Sequence, residues 1–216
     1  GNESSMCGNG GRCISAFAHM LEAAGNNMHF LAADGVHQSV IISADLHAYV
    51  VSLQMKELLQ KDISTSSLPS FPQHTIYLMD TGSPHMVIFA EDVHAIDVQR
   101  EGSSIRYAEP FKNTGINVNF VQKSSRSELF VRTYERGVEA ETLSCGTGAT
   151  AAAIAAYMSN IRNPENTYDI QTKGGRLQLG FSPPSPEYEG FENIWLKGPA
   201  VLVFKGSTHI GSSIEK

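Results

Sequence analysis

The sequence predicts an α+β fold built from two pseudo-symmetric halves. Nine segments are rich in β-forming residues, and the turns AADGVH and TKGGR indicate hairpins and therefore mostly antiparallel pairing. Two segments, 11–25 and 148–160, have the composition and length of helices. Each predicted helix follows directly after a Cys-Gly-x-Gly sequence. This repeated approach to a helix, within a strand-rich chain, indicates that the two halves are related.

A proline-containing segment, 67–73, is interpreted as the linker between the two halves. Residues 1–66 then form a first half-domain and residues 74–194 a second domain, and a last strand within 195–207 is expected to return to the first. The predicted strands are 28–35, 37–55, 74–82, 85–91, 116–122, 127–135, 167–174, 176–181 and 193–206.

An internal repeat is clearest where Cys7–Met20 is aligned with Cys145–Met158. The cysteine, the two glycines of the motif, one alanine and the final methionine coincide in the two copies. The hairpin turns that follow, at residues 34–35 and 173–174, lie at nearly the same spacing. This arrangement predicts the duplication of a unit made of strands, a cysteine loop, a helix and a hairpin.

The duplication also predicts strands that this sequence does not contain. Roughly 70 residues of predicted strand and loop lie between the linker and Cys145, whereas six residues precede Cys7. We therefore expect a matching set of strands ahead of Gly1 in a longer protein, and an incomplete first domain here. We expect the 216-residue chain by itself to be inactive or nearly so.

The composition excludes several classes of function. The net charge is −6 and no run of Lys or Arg occurs, which argues against a nucleic acid or an anionic membrane as partner. No apolar stretch approaches the roughly 18 residues of a membrane span. Three cysteines are too few for a disulfide framework, so reduced thiols and a cytoplasmic location are expected. The histidines lack metal-ligand spacing, so no metal site is expected.

Each Cys-Gly-x-Gly sequence places a thiol where a helix begins. A glycine-rich turn of this kind exposes free N–H groups and the positive end of the helix dipole, which together bind an anion such as a carboxylate. The same field favours a thiolate, so a lowered cysteine pKa is expected at these positions. Two such thiols that face each other can invert a carbon, because one removes a proton from one face while the other delivers a proton to the opposite face.

The sequence resembles the diaminopimelate epimerase family in four motifs that span nearly the whole chain. These are, in order, MCGNGGRC, DTGSPH, GINVNFVQ and YERGVEAETLSCGTGATAA. The resemblance implies interconversion of LL- and meso-diaminopimelate, in lysine and peptidoglycan biosynthesis, with no cofactor and no metal. It also implies two similar domains, each a mostly antiparallel sheet wrapped around a central helix. A homodimer is one expected assembly.

The resemblance assigns the site residues one by one. It makes Cys7 and Cys145 the catalytic acid/base pair, and it implies that Arg136 binds the distal carboxylate of the substrate through a bidentate contact. The other residues expected to bind substrate or support activity are Gly8, Asn9, Ser83, His85, Asn117, Glu135, Gly146 and Thr147. Ser83 stands where the family usually has Asn, and ERGVEAET is one residue longer than the usual form.

Three other interpretations are open from the residues. GTGATA with Asp169 downstream matches a dinucleotide-binding pattern, but residues 139–144 ahead of it are predicted to be a loop rather than a strand. A proline-racemase-like enzyme also pairs two cysteines, although its first motif typically has His where Asn9 stands, and it lacks ERG. A thiol redox or metal-binding module would be expected to contain C-x-x-C, which does not occur. Cys13 is predicted to be a buried core residue.

Overall fold

The computed structural model describes residues 6–32, 34–69 and 71–207. Over these ranges thirteen strands form one sheet and three α-helices pack on it, so the predicted α+β class is confirmed. The strands are β1 (Asn27–Ala32), β2 (Gly35–Ala44), β3 (Ala48–Gln54), β4 (Leu58–Leu59), β5 (Ser64–Leu68), β6 (Phe71–Asp80), β7 (Pro84–Phe89), β8 (Asn117–Lys123), β9 (Glu128–Glu135), β10 (Ala140–Thr142), β11 (Thr167–Thr172), β12 (Gly175–Ser182) and β13 (Gly190–Val201). The helices are α1 (Gly8–Met20), α2 (Val98–Arg106) and α3 (Gly146–Met158), with short 3₁₀ helices at Gln60–Asp62 and Val93–Ala95.

The sheet is mostly antiparallel. Its main path is β1-β2-β3-β13-β12-β11-β9-β8-β7-β6-β5, with β10 beside β9 and β4 beside β13. The pairs β7–β8 and β9–β11 are parallel, and α2 lies in the crossover that joins β7 to β8. The two predicted hairpins are confirmed as β1–β2 and β11–β12, which begin their second strands at Gly35 and Gly175. Both glycines have positive φ, +128° and +125°, a conformation that glycine adopts without steric cost.

Helix α3 is the centre of the second half. Its residues from Gly146 to Ala156 are buried, and strands β6 to β9 and β11 to β13 contact it. Because most of these residues are small, the strands approach the helix backbone closely on all sides. The surrounding core includes Leu129 and Tyr168, both fully buried. This helix is the wrapped central helix that the resemblance implies.

Helix α1 is covered on one face only by the described residues. It packs on β2, β3 and β13, while Ile14 and Phe17 on the other face are each 50% exposed. Cys13 is also exposed, so the prediction that it is a core residue is wrong. Helical spacing from Cys7 predicts the face that Cys13 occupies, but it does not predict which strands cover that face.

Strand β13 connects the two halves. One of its edges pairs with β12 and the other with β3, from Trp195 opposite Gln54 to Val201 opposite Ala48. The same strand contacts both α1 and α3. The first and second copies of the repeat therefore share one strand of the sheet.

Two short elements and one turn differ from the predicted pattern. Helix α2 is a third helix whose polar sequence gives little apolar periodicity; Asp97 caps it by accepting a hydrogen bond from the Arg100 N–H at 3.1 Å. Residues 139–144, predicted as a loop, contain β10. The predicted linker 67–73 falls on the end of β5 and the start of β6, which pair with each other, and its residue 70 lies outside the described residues. The division of the chain into two domains stays a prediction. None of the helices in the described part of the chain has the length and apolar character that crossing a bilayer requires.

Candidate active site

Cys7 and Cys145 occupy the same position in the two copies of the repeat. Each is the N-cap of a thirteen-residue helix, with φ and ψ of −119° and 110° at Cys7 and −118° and 113° at Cys145. Each sulfur accepts a hydrogen bond at 3.4 Å from the N–H three residues later, that of Gly10 or of Gly148. A thiol thus takes the capping role usually filled by Ser, Thr, Asp or Asn. The two copies of the repeat therefore have the same backbone conformation at the start of their helices.

The two helices meet at their N-termini through a pair of glycines. A methyl group on Gly8 would lie 3.2 Å from the Cα of Gly146, and one on Gly146 would lie 3.0 Å from the Cα of Gly8. Either methyl group would also come within 2.8 Å of Leu196 Cδ2 on β13. Glycine at both positions permits this approach, which brings two positive helix ends to one place.

A cavity of about 530 Å³ opens where the helices meet. Its wall contains every predicted site residue except His85, namely Cys7, Gly8, Asn9, Ser83, Asn117, Glu135, Arg136, Cys145, Gly146 and Thr147. Met6, Gly137, Val138 and Ser144 also line it and were not among the predicted residues. Among the described residues, no group of three or more His, Cys, Asp and Glu side chains is placed to hold a metal ion.

The helix ends provide anion-binding groups in this cavity. By helix geometry, the first N–H groups of α1, on Gly8 and Asn9, have no acceptor inside their own helix, and the same holds for Gly146 and Thr147 in α3. All four residues line the cavity. Four such N–H groups at two positive helix ends suit a carboxylate.

A second polar group in the cavity wall consists of Arg136, Ser83 and Asn117. The Arg136 guanidinium donates to the Thr114 carbonyl at 3.0 Å and to Ser83 Oγ at 3.4 Å. The Asn117 amide donates to Ser83 Oγ at 2.9 Å and accepts from the Arg136 backbone N–H at 2.9 Å. Ser83 therefore contacts both neighbours, and the Arg136 side chain is held at the cavity wall.

The pKa of Cys145 differs from the value expected at a helix start. Burial, and after it the Glu135 carboxylate, raise the pKa of Cys145 to about 12 from the ordinary 9.0. Hydrogen bonds from Thr147 and Gly148 act in the opposite direction and are outweighed. The predicted lowering of the pKa is therefore wrong for Cys145, because the loss of water and a facing carboxylate exceed the field of the helix. Glu135 is itself held by the Thr142 hydroxyl, which donates to Oε1 at 2.6 Å.

His85 lies behind the cavity wall rather than in it. Its ring is fully buried, with Nε2 2.8 Å from Thr147 Oγ1 and Nδ1 3.0 Å from Asn119 Nδ2. Thr147 Oγ1 lies in turn 3.4 Å from Cys145 Sγ. Burial lowers the pKa of His85 to about 3, and the charge of Arg136 acts in the same direction. His85 is therefore neutral near pH 7 and reaches Cys145 through Thr147.

Arg12 supports the site, although the sequence reading did not single it out. The buried guanidinium donates to the Gly8 carbonyl at 3.1 Å, to Asn9 Oδ1 at 2.8 Å and to the Pro199 carbonyl at 3.3 Å. Burial lowers the pKa of Arg12 from its ordinary value. The alignment of the two copies contained a signal for it, since a charged residue stands there in one copy and Thr150 in the other.

Several known proteins similar in sequence are diaminopimelate epimerases. The diaminopimelate epimerase family model matches residues 77–202. A diaminopimelate epimerase from Flavobacterium psychrophilum is 45% identical over 206 residues, which are 95% of this chain and 73% of the relative. The diaminopimelate epimerase of Chlamydia muridarum is 41% identical, and the match covers 94% of this chain and 72% of the relative. That of Aquifex aeolicus is 35% identical, and the match covers 95% of this chain and 70% of the relative.

Solved structures share the fold at low sequence identity. A probable proline racemase from Agrobacterium radiobacter superposes with a TM-score of 0.67 over 98% of this chain and 69% of its own, at 11% identity. A phenazine biosynthesis protein from Bacillus anthracis gives a TM-score of 0.64 over 94% of this chain and 76% of its own, at 13% identity. These likenesses concern the fold. By the family model and by its identity to the sequence relatives, the chain belongs to the diaminopimelate epimerase family.

Proposed function

We propose that the protein interconverts LL- and meso-diaminopimelate without a cofactor, through acid/base chemistry of Cys7 and Cys145. One observation carries the proposal: two cysteine-capped helices touch through Gly8 and Gly146 and open into one polar cavity. Such a site offers two thiols for proton transfer and free N–H groups for the carboxylate beside the reacting carbon. Membership of the family supplies the substrate, diaminopimelate.

Cys145 is the acid in one direction of the reaction. Because burial and Glu135 raise the pKa of Cys145 to about 12, its sulfur keeps its proton at neutral pH. Cys7, which is exposed and caps α1 in the same way, is then the base. Cys7 reacts as the thiolate: a lone pair on its sulfur takes the α-proton and forms an S–H bond, and the C–H electron pair stays on the carbon and its carboxylate. The Cys145 S–H bond then breaks as a new C–H bond forms on the opposite face, and the carbon is inverted.

The helix ends stabilise the charge that develops during this transfer. As the α-proton leaves, negative charge spreads onto the carboxylate attached to the reacting carbon. The N–H groups of Gly8, Asn9, Gly146 and Thr147 are fixed in place before the reaction, so they need no reorganisation to meet this charge. Fixed donors in a site of limited water access are the main electrostatic contribution that this fold supplies.

Arg136 provides the proposed selectivity for a substrate with two carboxylates. Its guanidinium is oriented by Thr114 and Ser83 at the cavity wall, which suits binding of the carboxylate at the far end of diaminopimelate. Proline has no second carboxylate to offer to Arg136. The likeness to the probable proline racemase is one of fold, at 11% identity, and it adds no support for proline as substrate.

The dinucleotide-binding and thiol-module interpretations find no support in this site. GTGATA begins α3, but the strand ahead of it, β10, pairs antiparallel with β9, whereas a dinucleotide-binding unit begins from a parallel strand. The two cysteines of the site are each engaged by the N–H of their own helix. A cytoplasmic location and a homodimer are further parts of the proposal. The three free cysteines support a reducing compartment, and analytical ultracentrifugation tests the dimer.

Exchange of the α-proton with solvent tests the proposed function. The 216-residue chain and the natural protein, meaning the full-length product of its gene, are each incubated in D2O with LL- or meso-diaminopimelate. Deuterium at the α-carbon and the opposite stereoisomer are expected to appear together in proton NMR spectra of the natural protein. Cys7→Ala and Cys145→Ala are expected to abolish epimerisation, and Cys13→Ala is the matched control. Exchange of proline but not of diaminopimelate would refute the proposal.

A further inference from the structure

The side chain of Asn119, on β8, makes three hydrogen-bond contacts in the core behind the active site. Its side-chain NH2 group donates to the Met86 carbonyl at 2.8 Å and lies 3.0 Å from His85 Nδ1, and its Oδ1 accepts from the Thr133 hydroxyl at 3.0 Å. Because a backbone carbonyl can only accept, the contact with Met86 fixes which end of the amide is the NH2 group. Asn119 therefore presents an N–H donor to His85.

This orientation decides where the proton of His85 lies. A ring nitrogen that faces an N–H donor must offer its lone pair, so Nδ1 of His85 is the acceptor. The ring is neutral, because burial lowers the pKa of His85 to about 3. Its single N–H is then on Nε2, which donates to Thr147 Oγ1 at 2.8 Å.

The same reasoning extends to Cys145. Since the Thr147 hydroxyl accepts from His85, its own proton is directed to Cys145 Sγ, 3.4 Å away. The Gly148 N–H donates to the same sulfur at 3.4 Å. Two donors therefore face the sulfur from the α3 side, and the proton of the neutral thiol is directed away from them, in keeping with the Glu135 carboxylate that also faces it.

We propose that Asn119 is a positioning residue that fixes the direction of the hydrogen-bond chain Asn119–His85–Thr147–Cys145, so that Thr147 always donates to the sulfur. The chain stabilises the thiolate that remains when the Cys145 S–H bond breaks, the electron pair stays on sulfur and the proton forms the new C–H bond. This catalytic consequence rests on the proposed function. The direction of the hydrogen-bond chain follows from the contacts alone and does not depend on the proposed function.

Two further features agree with this role. A side chain at position 148 would collide with Asn119 Oδ1, so glycine there lets the amide lie directly beneath the start of α3. In the first copy of the repeat, Asn9 stands in place of Thr147. Its amide NH2 group donates to the Ser144 carbonyl at 3.0 Å rather than to a sulfur.

NMR of the wild-type 216-residue protein tests the direction of the hydrogen-bond chain without requiring activity. Long-range ¹H–¹⁵N correlations report which ring nitrogen of a histidine carries the proton, and His85→Gln assigns the His85 signals. We expect His85 to be neutral with its proton on Nε2 throughout about pH 5 to 8. A proton on Nδ1, or a charged ring in this range, would overturn the proposal.

Variants then test the part played by Asn119. Asn119→Leu removes the donor to Nδ1 and is expected to let the Nδ1–H form of His85 appear. Thr133→Val removes the partner of Asn119 Oδ1 but keeps the NH2 group, and it is expected to retain Nε2–H. In the natural protein, kcat for diaminopimelate should fall about tenfold in Asn119→Leu with KM nearly unchanged, the effect of one lost hydrogen bond. An unchanged tautomer and kcat in folded Asn119→Leu would overturn the proposal. A natural protein that does not epimerise diaminopimelate would refute only the proposed function.

Discussion

Arg12 and Thr150 occupy equivalent positions on α1 and α3, and each donates a side-chain hydrogen bond at 3.1 Å to the carbonyl four residues earlier. The acceptors, Gly8 and Gly146, are the two glycines at which the helices touch. The start of α1 is thus held by a charged guanidinium, and the start of α3 by a neutral hydroxyl. The charged group alone extends further, to the Asn9 amide.

We predict that Arg12→Met destabilises the protein more than Thr150→Val. Arg12→Met leaves three acceptors without their donor, on Gly8, Asn9 and Pro199, and should lower the free energy of unfolding by about 2 kcal/mol. Thr150→Val removes one bond and should cost about 1 kcal/mol. Urea unfolding of both variants measures the difference. Equal losses would mean that the additional contacts of Arg12 contribute nothing.

We predict that Gly8→Ala disrupts the junction of the helices. The added methyl group would press against the Gly146 backbone at 3.2 Å and Leu196 at 2.8 Å, so α1 must shift, at a cost of about 1–3 kcal/mol. Epimerase activity should be lost in the natural protein. Gly25→Ala is the matched control, because no atom lies within 4 Å of a methyl group there. A harmless Gly8→Ala would show that the helix starts need not touch.

We predict that Arg136→Lys raises the KM for diaminopimelate at least about tenfold although the charge is kept. A lysine cannot form the two parallel hydrogen bonds that a guanidinium offers to a carboxylate. It also loses the contacts that orient Arg136 toward Thr114 and Ser83. Steady-state kinetics of the natural protein give the KM, and Arg100→Lys on the exposed face of α2 serves as control. Unchanged kinetics would remove Arg136 from the binding site.

We predict that His85 makes the stability of the protein depend on pH below neutrality. Its pKa of about 3 in the folded state lies below the ordinary 6.5, so the unfolded chain binds more protons between these values. The free energy of unfolding should therefore fall as the pH falls through this window, by ~2 kcal/mol from pH 7 to pH 5. His85→Gln should lack this part of the loss in urea unfolding at the two pH values. The exposed His29→Gln should keep it, and identical behaviour of the two variants would contradict the assignment.

We predict that mild oxidation joins Cys7 and Cys145 in a reversible disulfide. In the reacting complex each sulfur lies about 3–3.5 Å from one carbon, so substrate holds the two sulfurs about 7 Å apart, too far for a bond of about 2.05 Å. Without substrate only water separates the two sulfurs, and a small shift of the side chains and domains is expected to bring them together. Peptide mass spectrometry should find this bridge, diaminopimelate should prevent it and reductant should reverse it. A dominant bridge to the exposed Cys13 would show that the two thiols do not face each other.

The sequence predicted the parts of the fold that depend on local pattern. The hairpins at Gly35 and Gly175 and the two cysteine-capped helices follow from turn chemistry and from the repeat. Helix α2 was missed because its residues are mostly polar, and its place depends on contacts with β8 and β9. Such tertiary contacts are not visible in local periodicity.

The sequence predicted which residues line the site better than it predicted their pKa values. The wall of the cavity contains ten of the predicted residues, yet the raised pKa of Cys145 was not foreseen. That pKa depends on burial within the second half and on a turn that brings Glu135 to the sulfur, neither of which the order of residues reveals. Asn119 was missed for the same reason, since its part in the site depends on its contact with the buried ring of His85.

The packing of Leu196 against the two glycines bears on when the junction of the two helices can form during synthesis. Leu196 lies on β13, which leaves the ribosome after both cysteine-capped helices. A nascent chain that has reached the end of α3 therefore carries both thiols but lacks the strand on which the two helix starts rest. Proton-transfer geometry is acquired only when β13 inserts between β3 and β12. Until then the two sulfurs belong to an unfinished sheet.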